Sequence, residues 1–130
     1  MLVIWIEKEF DVEDYSLGVI ESKFADIIWE NEPLPSGQLV KLAQENLGWK
    51  KATTYCILKK LCLRGLFKNE NYIISSLIPR NEFYGNQSSI MIDRTFNGSL
   101  PEFMVAFASV RKPDKKDIEA IKKLLKEWEK

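Results

Sequence analysis

The sequence predicts a mainly α chain with one small β-hairpin: a winged head followed by a helical arm. Three observations predict it. Apolar residues recur at helical spacing in three successive stretches between residues 16 and 65. Two short β-rich runs, in LFKNENYIISSL, follow directly. Residues 99–130 then return to helical spacing and end in a strongly two-faced helix.

Residues 1–15, MLVIWIEKEFDVEDY, form an extension that is apolar and then acidic. Its Val3, Trp5 and Ile6 fit an edge strand or a single helical turn equally well. Residues 16–80 read helix, helix, helix, hairpin. In the first helix Val19, Ile20, Phe24, Ile27 and Ile28 share one face, and Pro33 stops it. Ser36 is the expected N-cap of the second, with Leu39, Val40, Leu42 and Ala43 inward and Gly48 closing it. The third runs from about Ala52 to Arg64 and ends at Gly65. The hairpin turn is expected at NEN, residues 69–71. Three helices with a terminal hairpin make a winged helix-turn-helix.

Residues 81–130 form the arm. Residues 81–98 are expected to be helical around SSIMIDRTF and to break at NGS, with two more helices after it. Asp114 and Asp117 have capping-box spacing ahead of the last one. Behind them Ile118, Ile121, Leu124, Leu125 and Trp128 form one apolar stripe with lysines opposite. A winged head has a core of its own, so this extra stripe needs a partner, and a second copy of the chain is the usual one.

Composition narrows the chemistry. The 130 residues carry 19 Lys and Arg against 19 Asp and Glu, and no histidine. The commonest general base and most zinc sites are thereby absent. No glycine-rich phosphate loop occurs, and pairs of acids such as DVED read as solvated charge. Cys56 and Cys62 lie six apart on one helix, about 9 Å of rise, too far for a disulfide. No apolar run approaches the roughly 18 residues of a membrane span, and the start lacks a signal-peptide pattern. These features predict a cytoplasmic protein that is not an enzyme, with no cofactor, no metal and no membrane insertion.

One segment departs from the neutral balance. Residues 48–68, GWKKATTYCILKKLCLRGLFK, hold Lys50, Lys51, Lys59, Lys60, Arg64 and Lys68 and no acid. With Thr54, Ile57, Leu58 and Leu61 on the core, the outward face of the third helix shows Ala52, Thr53, Tyr55, Cys56, Lys59 and Lys60. Lys50 and Lys51 sit in the turn ahead. A helix in a DNA major groove has this layout: base edges at its first turns, phosphates at the flanking cations and the helix N-terminus. An ordinary solvated helix mixes signs instead.

The residues also resemble a known family. ESKFADIIWE, with Glu21 and Trp29, is similar to the first helix of the penicillinase repressor family (BlaI/MecI/CopY type). Trp49, Thr53, Leu58, Lys60, Leu61 and Gly65 fall where its recognition-helix pattern wants Trp, Thr, an aliphatic, a basic residue, Leu and Gly. FNGSLPEFMVAF and the closing helix resemble its dimerisation region, and the likeness covers about residues 17–130.

The resemblance implies a dimeric winged-helix repressor on a dyad double-stranded DNA operator. It places DNA contacts at Ala52, Thr53, Tyr55, Cys56 and Lys60. The dimer contacts would come from Phe96, Leu100, Phe103, Met104 and Phe107 together with the last apolar stripe. The β-lactam branch of the family is released by a membrane sensor through cleavage in the dimerisation helix. The matching bond is Ala106–Phe107, with Ala106 where Asn is usual. The cysteine cluster of the copper branch is missing from the tail LLKEWEK. The rival reading is a winged-helix protein-interaction module that does not bind DNA. Residues 1–80 favour it with ten basic against eleven acidic side chains, as does a short wing with only Lys68 facing Glu70.

Overall fold

A computed structural model describes residues 17–130; the extension expected at residues 1–15 lies outside the described residues. The chain divides into two compact units, the first ending at Ser88 and the second spanning Ser89–Lys130. The fold is mainly helical with a small three-stranded antiparallel sheet, a winged helix with a C-terminal helical region.

In the first unit the described elements are α1 (Val19–Asn31), β1 (Leu34–Pro35), α2 (Ser36–Leu47), α3 (Lys51–Leu63), β2 (Phe67–Glu70) and β3 (Ile73–Ser76). Helix α4 (Arg80–Phe96) begins here. Helix α1 starts after Gly18, whose N–H donates to the Glu21 carboxylate at 3.4 Å, and it ends ahead of Pro33. Its buried residues are Phe24, Ala25 and Ile28. Val19 and Ile20, expected on the inner face, are exposed, because the core is reached only from the second turn onward.

Gly48 ends α2 at φ +69, and its N–H and that of Trp49 donate to the Gln44 and Ala43 carbonyls. Three residues then turn the chain into α3, with the Trp49 ring 4.9 Å from Phe24. That contact ties the turn between α2 and α3 to α1. Helix α3 buries Thr54, Leu58 and Leu61, the inner face that its spacing predicts.

The sheet order is β1-β3-β2. Glu70 pairs with Ile73, so the hairpin turn is Asn71–Tyr72 and not the NEN triplet, which places Asn69 and Glu70 inside β2. Both turn residues have positive φ, 53° and 66°, the geometry that a two-residue hairpin loop requires. Strand β1 was not expected from LP. Pro35 is tolerated there because β1 is an edge strand. The Glu32 carboxylate fastens the other end of β3, accepting from the Ser76 N–H and hydroxyl at 2.6 and 2.9 Å.

Trp29 centres an aromatic cluster, 5.2 Å from Phe67, 6.0 Å from Phe83 and 5.5 Å from Tyr84. Its indole N–H donates to the Ile78 carbonyl at 3.1 Å. Arg80 adds an ion pair to Asp26 at 2.9 Å while lying over the Tyr84 ring. Burial pushes the Tyr84 hydroxyl above the usual tyrosine range. The first turns of α4 therefore belong to the packing of the first unit, and the helix covers most of the expected residues 81–98.

The second unit holds the end of α4, α5 (Leu100–Val110) and α6 (Lys115–Trp128). Asn97 and Gly98, both at positive φ, close α4 at the expected NGS break. A Cβ on Gly98 would stand 3.3 Å from the Asp93 carboxylate. Ser99 caps α5 by accepting the Glu102 N–H at 3.1 Å, and Asp114 caps α6 by accepting that of Asp117 at 2.8 Å. Phe103 lies between Phe96 and Phe107, with ring centroids 5.7 and 6.1 Å away. No residue of this unit is buried.

Candidate nucleic-acid interface

Helix α3 has no acidic residue in its first turn and no side-chain cap. Lys50 and Lys51 stand where the helix dipole disfavours cations, next to backbone N–H groups without intrahelical partners. An anion from outside the chain would relieve both. Ala52, Thr53, Cys56, Lys59 and Lys60 are exposed along the outer face, as spacing predicts. The first two turns thus show small side chains that let a groove come close. Ala and Thr methyls suit contact with a thymine methyl group.

Two expectations about this face change. Tyr55 does not stand clear of the core. It is half-buried against it, and its hydroxyl donates to the Ser36 Oγ at 3.0 Å. Ser36 is correspondingly not the N-cap of α2. Pro35 holds that position, and Ser36 is a buried first residue.

The cations are also less isolated than the sequence suggests. Glu21, on α1, reaches Lys60 at 3.0 Å and Arg64 at 3.9 Å. The Lys60 ammonium beside it holds the Glu21 carboxyl below the usual range, against the opposing effect of partial burial. Lys68 pairs with Glu70 across 2.8 Å on the wing. Lys50, Lys51 and Lys59 make no ion pair among the described residues.

The two cysteines are free, Cys56 exposed and Cys62 partly covered, with burial pushing the Cys62 thiol up. Among the described residues no group of His, Cys, Asp and Glu could hold a metal ion. No described helix is long and apolar enough to cross a membrane.

Sequence reasoning missed Ser36 and Glu21, whose partners lie 19 and 39 residues away. It also missed Leu63, which is exposed on the same helix. Glu21 alone left a trace, as an acid on the first helix ahead of an acid-free third.

In the second unit the residues expected at a dimer contact are displayed. Leu100, Met104, Phe107, Ile118, Leu124, Leu125 and Trp128 are exposed, and Phe96, Phe103 and Ile121 are half-buried. A groove of about 140 Å³ is lined by Phe103, Met104, Phe107, Pro113 and Ile121. Ala106 and Phe107 are exposed within α5, and the Ser109 hydroxyl donates to the Ala106 carbonyl at 2.7 Å.

A helix-turn-helix with a wing and a partly basic third helix defines the winged-helix class of DNA-binding regulators. The family model of the penicillinase repressor matches residues 17–127, and the chain belongs to that family. A search of curated proteins finds no match. Membership makes it a DNA-binding transcriptional repressor, from a family of regulators and not of enzymes.

Proposed function

We propose that the protein is a homodimer that reads a dyad operator through α3. Lys50, Lys51 and Lys59 take phosphates, and Ala52, Thr53 and Cys56 face bases. The observation that carries this reading is the outer face of α3, small in its first turns and flanked by three lysines that make no ion pair among the described residues. Residues 16–80 form the DNA-binding head in this reading, with Phe83 and Tyr84 at the start of α4 packed into its core, and the rest of residues 81–130 the dimerisation arm. The apolar faces of α5 and α6 support that division, since nothing within their own unit buries them. Cytoplasmic residence follows from the DNA target.

Release by a membrane sensor protease would act at Ala106–Phe107. That bond lies inside α5, so the helix must open locally before a protease can hold it extended. The rival interaction module keeps one supporting observation, the near-neutral head, in which Glu21 and Glu70 offset three of the six cations. Selection from a library of palindromic duplexes separates the two readings. Enrichment of a dyad sequence supports the repressor, and no enrichment at low salt supports the module.

A further inference from the structure

The wing turn and the third helix meet at one buried residue. Ser36 is only 4% exposed. Its N–H donates to the Tyr72 carbonyl at 2.8 Å, and its Oγ accepts from the Tyr55 hydroxyl at 3.0 Å. Pro35, just before it, pairs with Ile73 across the sheet. Ser36 therefore grips the hairpin turn with its backbone and the outer flank of α3 with its side chain.

Tyr72 adds a second observation. Its φ of 66° is unusual for a bulky side chain, and the residue is 74% exposed. Packing of the head asks for no aromatic there, and Gly would enter the same turn with less strain. Strain of this kind persists where surrounding structure enforces it, and it gathers at functional positions. The two-residue turn enforces it here, and the Ser36 N–H holds the Tyr72 carbonyl at its end.

We infer that Ser36 is a positioning residue that locks α3 and the wing turn in one register, with Tyr55 acting through Ser36 and the Tyr72 hydroxyl reaching a DNA phosphate. The inference rests on the repressor reading above. Base readout needs its donors and acceptors held closely, because hydrogen bonds weaken steeply with misalignment. A tyrosine hydroxyl is a regular phosphate donor and carries no sequence information. The lock thus governs discrimination, and Tyr72 governs affinity for any duplex.

The experiment measures binding of full-length protein to a duplex enriched by the wild type and to a random duplex of equal length. Tyr55→Phe and Ser36→Ala should each lower the ratio of the two affinities about 3- to 10-fold per half-site, the scale of one net hydrogen bond. The double variant should lose no more than either single one. Tyr72→Ala should weaken both duplexes alike, by about 3- to 10-fold per half-site, and leave the ratio unchanged. A loss of folded protein cannot mimic the first result, because both affinities scale with the folded fraction.

An unchanged ratio in Tyr55→Phe and Ser36→Ala overturns the lock. Additive losses in the double variant overturn it too, since Tyr55 would then act on DNA directly. Unchanged binding in Tyr72→Ala overturns the phosphate contact. A wild type that enriches no duplex removes the repressor reading and this inference together, whereas failure among the variants alone removes only the inference.

Discussion

The head and the arm handle apolar surface in opposite ways. In the head, Phe24, Ile28, Leu58, Leu61, Phe67, Ile74 and Phe83 are at most 2% exposed, and an aromatic cluster closes over them. In the arm, helices with comparably apolar faces bury nothing, and Trp128 at their end is 65% exposed. The difference teaches that the head is finished as a single copy. In the proposed dimer the arm is finished by a partner, which would couple its stability to concentration. Binding DNA as a dyad needs both properties: a rigid reader, and a joint that forms between two chains.

The largest expected effect breaks the head side of this comparison. Phe83→Ala should cost about 3–5 kcal/mol of unfolding free energy, read from denaturant midpoints. That loss should be the same at every protein concentration. A loss that grows on dilution would mean that the head, too, depends on a partner.

Next comes the arm. Leu125→Ala should weaken the dimer by up to about 1.5–3 kcal/mol per side chain buried, seen in sedimentation equilibrium. Head unfolding should hardly change. Removing residues 99–130 should leave a soluble monomeric head. A full-length chain that sediments as a monomer at tens of micromolar contradicts the account of the arm.

A smaller effect sharpens the electrostatics of the head. The Lys60 contact holds the Glu21 carboxyl below its ordinary value. A depressed carboxyl contributes stability above its unfolded value, and that stability is lost as pH falls through the folded one. Glu21→Gln should therefore be less stable than wild type near pH 6, and the gap should close on acidification below about pH 4. Denaturant midpoints across this range make the check, and a constant gap would mean that the pair is not what Glu21 contributes.

Much of the head was legible because its signals are local. Helical spacing, Pro33, Gly48 and Gly65 mark α1 to α3 within a residue or two, and Asp114 marks the start of α6. The turn at Asn71–Tyr72 was misplaced because Tyr has little preference for positive φ, so sequence favoured the more polar triplet. The two-residue β1 has no periodicity to read. At the candidate site, the outer residues of α3 follow from the helical repeat alone. The tyrosine bond to Ser36 and the Glu21 bridge do not, since they depend on how α1, α2 and α3 cross. Tyr55 looked outward for the same reason: a boundary residue on a helix is assigned by its neighbours in space.

The central claim is that Lys50, Lys51 and Lys59 meet phosphates while α3 reads bases, and salt titration on a selected palindromic duplex tests it most directly. Lys51→Ala in a dimer removes one contact per half-site, so the slope of log K against log salt should shrink by roughly 1.8, at about 0.9 per phosphate. Operator and random duplex should weaken alike, because a phosphate contact carries no base information. Lys60→Ala should change the slope by less, since Glu21 already neutralises that ammonium. A wild type that selects no sequence, or a Lys51→Ala slope equal to that of the wild type, would contradict the account.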